Sequence, residues 1–281
     1  MHTRLTIALL ALALGGCHST PPLRDTHENL HAVLWMQTSA EYRILVDTTL
    51  REAGERVAEL TGQANSGQSV ASAAPEQPGI NDKNLPLAVI VDLDETLLDN
   101  TSFNGELVLD RATYDPAKWS AWVAARKAEF MPGAEAFVGQ VRAQGVTVLF
   151  VTNRDAADEA NTLADLLPLE VEAEHLLLAG ETGAGQAEPW TSEKSSRRGY
   201  LAERYWIIAM LGDDLGDFIP GIRALPPEQR VAASEPFLPR FGRQWFLLPN
   251  PVYGSWERNL SEREADDAEQ LRQKMARVQG F

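Results

Sequence analysis

The sequence has little cysteine, a shortage of basic residues and no apolar run long enough to cross a bilayer. Cys17 is its only cysteine, so no disulfide can form within the chain. The 25 lysines and arginines are outnumbered by 40 aspartates and glutamates, which gives a formal net charge of −15. Such a charge argues against a nucleic-acid or acidic-lipid binding face. Any bound phosphate must therefore be met by local positive charge.

The first seventeen residues are typical of a bacterial export signal. A basic start with Arg4 precedes the apolar run from Leu5 to Leu14, which is too short to span a membrane. Gly15 and Gly16 then precede Cys17, and this arrangement resembles a lipobox, where the cysteine thiol takes a diacylglycerol. A plain secretory signal with an accidental cysteine is the alternative. The residue after the cysteine is histidine and not aspartate, which by resemblance to lipoprotein sorting rules indicates the outer membrane.

The length of 281 residues and the hydrophobic content of 44% favour one domain with additions. Between Glu28 and Leu60, apolar residues recur at helical spacing, which predicts one long amphipathic helix or two shorter ones. Gly62 to Asn84 lacks periodicity and is rich in small residues, so it predicts a linker or an exposed loop. We therefore expect a signal at 1–17, a helical segment and linker at 18–84, and a core at 85–281.

Short apolar runs within this core predict buried parallel strands. They lie at residues 85–91, 146–151, 205–211 and 244–248, and helical stretches lie at 134–143, 156–166 and 192–204. The alternation predicts a doubly wound, Rossmann-like α/β sheet, whose ligands bind beyond the carboxyl ends of the strands. Residues 260–278 are predicted to form a charged helix that covers an edge.

Two carboxylates separated by one residue, Asp92 and Asp94, follow the first predicted strand. A tight turn can direct one of them at a substrate and hold the other above it. An ionised Asp92 can then attack phosphorus, while Asp94 protonates the leaving oxygen and later deprotonates the attacking water. Taken alone, the pair fits a solvated acidic turn equally well.

Groups that can bind phosphate follow the predicted strand at 146–151 and open the predicted helix at 192–204. Thr152 and Asn153 place a hydroxyl and an amide after a strand, and Lys194 opens a predicted helix, where a cation and free backbone N–H groups suit an anion. A lone lysine is more often a solvated side chain. These residues therefore gain meaning only from their order in the series.

The strand at 205–211 is followed by a carboxylate cluster that contains Asp213 and Asp217. Clustered carboxylates repel one another unless a hard cation is present, and Mg²⁺ takes oxygen ligands. Asp213 is the preferred metal ligand. In isolation, the segment is also compatible with an ordinary acidic turn.

Together, DxDxT, a threonine after a strand, a lysine and GDxxxD occur in the order of the four motifs of the haloacid dehalogenase (HAD) superfamily. A closer resemblance is to the class C acid phosphatases, also called the lipoprotein 5′-nucleotidase family. It is carried by residues 31–43, 92–100, 150–154 and 250–257 and by the Trp119 and Trp122 pair. The resemblance covers roughly residues 28–260.

This resemblance implies a HAD-like core with a mainly helical cap inserted near 99–131, Mg²⁺ as cofactor, and commonly a homodimer. It implies an outer-membrane acid phosphatase that acts on 5′-mononucleotides and other phosphomonoesters. The resemblance implies that Asp92 is the nucleophile and that Asp94 is the acid/base. It implies phosphate contacts at Thr152 and Lys194, and metal ligands at Asp92, Asp213 and the Asp94 carbonyl. It also implies that Asp217 braces the lysine and the metal-bound waters.

Trp119 and Tyr253 lie where the family holds a nucleobase between aromatic rings, although either could instead be a packed core residue. Two features depart from the family pattern. The stretch from Gly180 to Thr191 is longer than usual before Lys194, and Asp214 stands where asparagine is common, which would add negative charge near the metal. The rival hypothesis is a non-catalytic lipoprotein that captures a nucleotide or haem-like ligand. Because the nucleophile and metal carboxylates are all present, the sequence favours an enzyme.

Overall fold

Strands and helices alternate along the part of the chain that the computed structural model describes, namely residues 26–81, 84–262 and 265–280. The strands are β1 (Leu87–Val91), β2 (Leu98–Asp99), β3 (Glu129–Phe130), β4 (Thr147–Asp155), β5 (Leu176–Ala179), β6 (Trp206–Gly212) and β7 (Trp245–Leu247). The helices are α1 (Leu30–Thr38), α2 (Ala40–Asn65), α3 (Thr101–Asp110), α4 (Pro116–Ala125), α5 (Ala134–Ala143), α6 (Glu159–Asp165), α7 (Ser195–Ala202), α8 (Pro227–Ser234) and α9 (Asp267–Ala276).

The main sheet is parallel, with the strand order β5-β4-β1-β6-β7. Alternate residues of the central strand β1 pack into different cores: Val89 and Val91 lie in one hydrophobic cluster, whereas Ala88 and Ile90 lie in the other. This alternation follows from the period of two along a strand, and it explains why a strand covered on both faces is apolar throughout. The doubly wound α/β prediction is confirmed.

The first face of the sheet is covered by α2 and α5, which supply Val46, Leu50 and Phe137 to one cluster. The second face is covered by α7, with Leu201 in the other cluster. The N-terminal helical pattern forms two helices because the chain is extended at Ser39. The Ser39 hydroxyl accepts a hydrogen bond from the Tyr42 backbone N–H at 3.1 Å and so caps the second helix.

The segment after α2 differs from the linker or exposed loop that its composition suggested. Residues 70–77 pack against the sheet, and Ala73 and Ala74 are buried in the second cluster. The Ala73 N–H donates to the Ile207 carbonyl at 2.7 Å, and Gln77 donates to the carbonyls of Ala202 and Tyr205. Small side chains here let the segment lie close to β6. A composition that suggests a linker is therefore also compatible with a tightly packed segment.

An insertion between β1 and α5 forms a small helical unit. The antiparallel strands β2 and β3 bring its two ends together, and α3 and α4 lie between them. These helices have their own apolar cluster, which contains Phe103, Leu107, Trp122 and Val123. Residues 100–128 therefore form a cap next to the end of β1.

Other elements differ in extent from the sequence expectations. Strand β5 was not anticipated from the sequence. The C-terminal helix is shorter than residues 260–278, and it has no buried residue among those described. Among the described residues, no helix is both long enough and apolar enough to span a membrane. Cys17 and the predicted export signal lie outside the described residues.

Candidate active site

The turn after β1 separates the two carboxylates that follow it. The Leu93 carbonyl accepts hydrogen bonds from the backbone N–H groups of residues 96, 97 and 98, which closes the turn tightly. Glu95 has a φ of +57°, a left-handed conformation that is unfavourable for a side chain of this size. The buried Glu95 carboxyl holds this conformation because it accepts hydrogen bonds from the Asn100 N–H and the Tyr253 hydroxyl. As a result, Asp92 and Asp94 have different partners.

Asp92 lies at the carboxyl end of β1 and pairs with a lysine from another element. Its Oδ1 atom is 2.5 Å from the Lys194 ammonium, and its Oδ2 atom accepts from the Thr96 hydroxyl at 3.2 Å. Lys194 also contacts the Asp217 Oδ1 atom at 2.6 Å. Since Asp92, Lys194 and Asp217 are all at least nine-tenths buried, this ammonium bridges two desolvated carboxylates.

Three carboxylates form a group that fits a divalent cation. One oxygen each of Asp92, Asp213 and Asp217 lies within 4.8 Å of the others. Hard cations take such oxygen donors, and a lysine alone cannot balance three carboxylates. The Asn250 amide donates to the Asp213 Oδ2 atom at 2.7 Å and orients that carboxylate. The donor set therefore fits a metal such as Mg²⁺.

The charge balance of this group is visible in its pKa values. Burial is the largest influence on Asp92 and, with the Asp217 and Asp94 charges, raises its pKa to about 6 although Lys194 opposes the shift. Burial, followed by the charges of Asp92 and Asp217, raises the pKa of Asp213 well above its usual value. For Lys194, burial is outweighed by Asp217 and Asp92, so the pKa of its ammonium is raised. Lys194 at Asp92 and the Asn250 amide at Asp213 therefore do not offset burial and the repulsion among these carboxylates.

Gly212 permits the close approach of Asp217 to the end of β6. A Cβ atom at this position would lie 2.2 Å from the Asp217 Oδ2 atom and 2.6 Å from its Cβ atom. Any larger residue must displace Asp217 and with it the partner of Lys194. This contact gives a physical reason for the glycine in the GDxxxD segment.

Asp214, the departure from the family pattern, is turned away from the carboxylate group. Its side chain accepts hydrogen bonds from the Ser255 backbone N–H, from the Ser255 hydroxyl at 2.6 Å and from the Gly216 N–H at 2.6 Å. Burial raises its pKa, but these hydrogen bonds and the Arg223 charge outweigh burial and lower it. The Asp214 charge is therefore stabilised by Ser255, Gly216 and Arg223, but it still contributes to the raised pKa of Asp213.

The proposed phosphate contacts lie on a scaffold that includes an arginine which the sequence reasoning did not assign. Thr152 is fully buried, and its hydroxyl oxygen accepts from the Arg154 N–H at 3.1 Å, which leaves the hydroxyl proton free to donate. The exposed Asn153 accepts from Arg197 at 2.6 Å, and Arg197 also donates to the Thr152 carbonyl. Burial lowers the pKa of Arg197 to about 10. Arg197 thus joins the carboxyl-terminal part of β4 to α7, the helix that follows Lys194.

A second unanticipated arginine supports the Asp217 loop. Arg198 is fully buried and donates to the carbonyls of Gly216 and Asp217 at 3.2 and 2.9 Å. Its Nη2 and Nε atoms bind the two oxygens of the Glu76 carboxylate at 2.7 and 3.1 Å. Glu76 belongs to the segment that was expected to be a linker, so that segment helps to position the Asp217 loop.

Asp94 does not join the carboxylate group through its side chain. The buried Arg154 contacts both of its oxygens, and the Asn100 amide donates to its Oδ1 atom at 3.0 Å. Asn100 in turn accepts from the indole N–H of Trp122 in the cap at 2.9 Å. The Asp94 carboxylate is therefore held between the core and the cap.

Trp119 and Tyr253 approach the Asp94 and Glu95 turn from different elements. The Trp119 ring is half-buried, packs edge-on against Phe103 at 5.1 Å and lies 5.9 Å from the Arg154 guanidinium carbon. The hydroxyl of the half-buried Tyr253 donates a hydrogen bond to the Glu95 carboxyl. In the part of the chain that is described, these two rings do not contact each other. Neither is a fully buried core residue.

Proteins of known structure are similar to this chain over most of its length. The chain is similar to a solved class C acid phosphatase from Bacillus anthracis, with 26% identity, a TM-score of 0.75 and coverage of 91% of this chain and 98% of that one. A second structure of that enzyme, with tungstate bound, gives 26% identity, a TM-score of 0.74 and coverage of 92% and 100%. The family model for HAD superfamily, subfamily IIIB (acid phosphatase), matches residues 24–256. The chain therefore belongs to this acid phosphatase family and is a phosphomonoesterase.

Proposed function

We propose that this acid phosphatase hydrolyses phosphomonoesters through a phosphoaspartate on Asp92, depends on Mg²⁺ and prefers 5′-mononucleotides. The observation that carries the proposal is the grouping of Asp92 with Lys194, Asp213 and Asp217 at the carboxyl ends of β1 and β6. A site for mere capture of a ligand needs no such concentration of buried carboxylates. The rival hypothesis of a non-catalytic lipoprotein is therefore not favoured.

In the first half of the reaction, an oxygen of Asp92 forms a bond to phosphorus while the bond from phosphorus to the ester oxygen breaks. Asp94 gives its proton to the departing oxygen, which leaves as an alcohol. In the second half, a water oxygen bonds to phosphorus, its proton returns to Asp94, and the bond between Asp92 and phosphorus breaks. Inorganic phosphate leaves, and both carboxyl groups regain their starting states.

The charge on the transferring group is met locally, as the net charge of the chain requires. Lys194 and the Thr152 hydroxyl can each donate to a phosphate oxygen, and Asn153 offers an amide beside them. Asp92, Asp213 and the Asp94 backbone carbonyl would hold Mg²⁺, with Asp217 bracing Lys194. When bound, the cation offsets the negative charge that carboxylates and phosphate bring together.

The function is tested by phosphate release from a panel that contains 5′- and 3′-mononucleotides, a sugar phosphate and an aryl phosphate. We expect release from all members in the presence of Mg²⁺, with the highest kcat/KM for the 5′-mononucleotides. Phosphate release from none of these compounds would contradict the proposal. Equal kcat/KM for 5′- and 3′-mononucleotides would contradict the nucleotide preference alone.

Nucleotide preference requires recognition outside the phosphate. A planar base fits between two aromatic faces that do not touch each other, and one base–aromatic stack contributes about 1–3 kcal/mol. We expect Trp119→Ala to lower kcat/KM for a 5′-mononucleotide by a factor that corresponds to about 1–3 kcal/mol. The decrease for a small aryl phosphate should be smaller.

Trp119→Phe is the matched control, since it keeps an aromatic face and should retain most of the activity. Thermal unfolding of both variants shows whether the packing of the cap around Phe103 is kept. If Trp119→Ala lowers kcat/KM equally for both substrates, Trp119 is a packing residue and the base contact is wrong.

We also propose that the protein is a lipoprotein of the outer membrane, anchored through Cys17. The support is the lipobox-like sequence before Cys17 and the residue that follows it. Several acyl chains hold a protein stably at a membrane, whereas a single chain holds it only marginally.

Cys17→Ser should therefore move the protein from the membrane fraction to the soluble fraction. Its kcat and KM should not change, because the site residues lie between positions 92 and 255. Fractionation of cells that express both forms measures the first effect, and assays of the purified proteins measure the second. If the serine variant remains in the membrane fraction, another segment provides the anchor.

A further inference from the structure

We propose that Arg154 is a positioning residue for the acid/base Asp94: it fixes the Oδ1 atom and leaves the Oδ2 atom to exchange the proton. The inference rests on the proposed function, in which Asp94 protonates the leaving oxygen. It assigns a role to a residue whose guanidinium contacts Asp94 and Asp165 and, among the described residues, none of Asp92, Asp213 and Asp217.

The two oxygens of Asp94 have unequal surroundings. The Oδ1 atom receives the Arg154 Nη2 donor at 2.8 Å, the Arg154 Nε donor at 3.0 Å and the Asn100 amide at 3.0 Å. Among the described residues, the Oδ2 atom receives only the Arg154 Nε donor, which is shared with Oδ1 and longer at 3.2 Å. A carboxylate oxygen that already has three donors is poorly placed to bind a proton. The Oδ2 atom is therefore the one that gives and takes the proton.

Arg154 can fix this geometry because it is itself immobilised. Its side chain is fully buried, and its Nη1 atom donates to the Asp165 Oδ2 atom at 2.8 Å. The Asp165 side chain, on α6, is only 2% exposed. The guanidinium fork thus spans two carboxylates on different elements, which a compact ammonium cannot do with the same directionality.

The position of Asp94 matters most when the leaving group is a poor one. An alkoxide must be protonated as it departs, whereas a nitrophenolate departs unaided, so acid catalysis contributes far more to alkyl than to nitrophenyl esters. A displaced Asp94 should therefore lower kcat/KM most for the substrates with the most basic leaving groups. A residue that only stabilises the fold would lower all of them alike.

The experiment measures kcat/KM of Arg154→Lys for phosphomonoesters from dinitrophenyl through phenyl to alkyl leaving groups. Since general acid catalysis typically contributes 10²–10⁴-fold, we expect a loss of about 10–100-fold for alkyl esters and less than about threefold for the dinitrophenyl ester. The plot of log kcat/KM against leaving-group basicity should become steeper than for the wild type. An unchanged slope, with either a uniform loss or no loss, would overturn the proposal.

Two further variants separate this role from a structural one. Asp94→Asn should show the steep dependence already, and adding Arg154→Lys to it should change kcat/KM little, because both substitutions remove the same function. If Arg154→Lys does not fold, Asp165→Asn releases the guanidinium from its second anchor and should steepen the dependence more weakly. Additive losses in the double variant, or a flat dependence in Asp165→Asn, would contradict a role through Asp94.

The same data distinguish failure of this inference from failure of the proposed function. If the wild type hydrolyses the series and Asp92→Asn does not, the proposed nucleophile stands whatever the slopes of the Arg154 variants are. If Asp92→Asn retains the wild-type activity, the proposed function itself fails.

Discussion

Asp92→Asn is expected to lower kcat for every phosphomonoester by at least about a thousandfold, the scale on which removal of a nucleophile acts in other covalent enzymes. The amide keeps the shape of the side chain but cannot attack phosphorus. The fold should persist, because Lys194 retains Asp217 as an ion-pair partner at 2.6 Å. Steady-state kinetics and thermal unfolding of the purified variant measure the two effects.

Asp92→Ala serves as the control, since an asparagine can revert slowly to aspartate and an alanine cannot. Both variants should be equally inactive when freshly prepared. Asp99→Asn, a change in the short strand β2, should retain activity because no contact links Asp99 to the Lys194 bridge in the part of the chain that is described. An Asp92→Ala protein with more than about one per cent of the wild-type kcat would refute a nucleophilic Asp92.

Removal of divalent metal is expected to abolish turnover, and Mg²⁺ is expected to restore it. Without a bound metal, Asp92, Asp213 and Asp217 face a phosphate dianion, and among the described residues Lys194 is the cation that contacts this group. Ca²⁺ should restore less activity, because its longer and looser coordination misplaces the nucleophile. The measurement is kcat against free Mg²⁺ after treatment with chelator, with metal content determined by elemental analysis.

A second readout of the metal does not depend on activity. A ligand that binds only the folded state raises the melting temperature, so Mg²⁺ should stabilise the wild type in thermal unfolding. Asp213→Asn should raise the Mg²⁺ concentration needed for half of this effect by about tenfold or more. Full activity in protein shown to be free of metal would disprove the requirement.

The fold was largely predictable because its signals are local. Runs such as Leu87–Val91 are apolar on both faces, and acidic residues follow them where the strands end. Parallel strands bring their carboxyl ends to one edge of a sheet. The order of the motifs along the chain was therefore enough to predict that the side chains of four residues lie together, namely Asp92, Lys194, Asp213 and Asp217.

The second layer of the site was not predictable in this way. Arg154 and Asp94 are sixty positions apart, and Arg198 and Glu76 are 122 apart, so no local pattern pairs them. An arginine in a polar sequence such as that of α7 resembles a solvated residue until the partner is known. The burial of Arg197 and Arg198 depends on tertiary contacts that only the fold supplies.

Composition misled at residues 70–77 because small residues serve two opposite purposes. Alanine and serine keep a linker flexible, but they also let a segment lie close to a strand, as Ala73 does beside Ile207. The segment that contains the buried Ala73 and Ala74 also carries Glu76, whose carboxylate binds Arg198. Arg198 in turn supports the Asp217 loop. Periodicity carries no information about such packing.

The central claim is that the phosphoryl group is transferred twice, first to Asp92 and then to the acceptor. The most direct test uses a phosphomonoester made chiral at phosphorus with the three stable oxygen isotopes, with transfer to an alcohol acceptor in the presence of Mg²⁺. Each in-line displacement inverts the configuration, so two displacements through a phosphoaspartate give retention at phosphorus. Retention is the expected result. Inversion would show a single direct transfer and would contradict a covalent intermediate on Asp92.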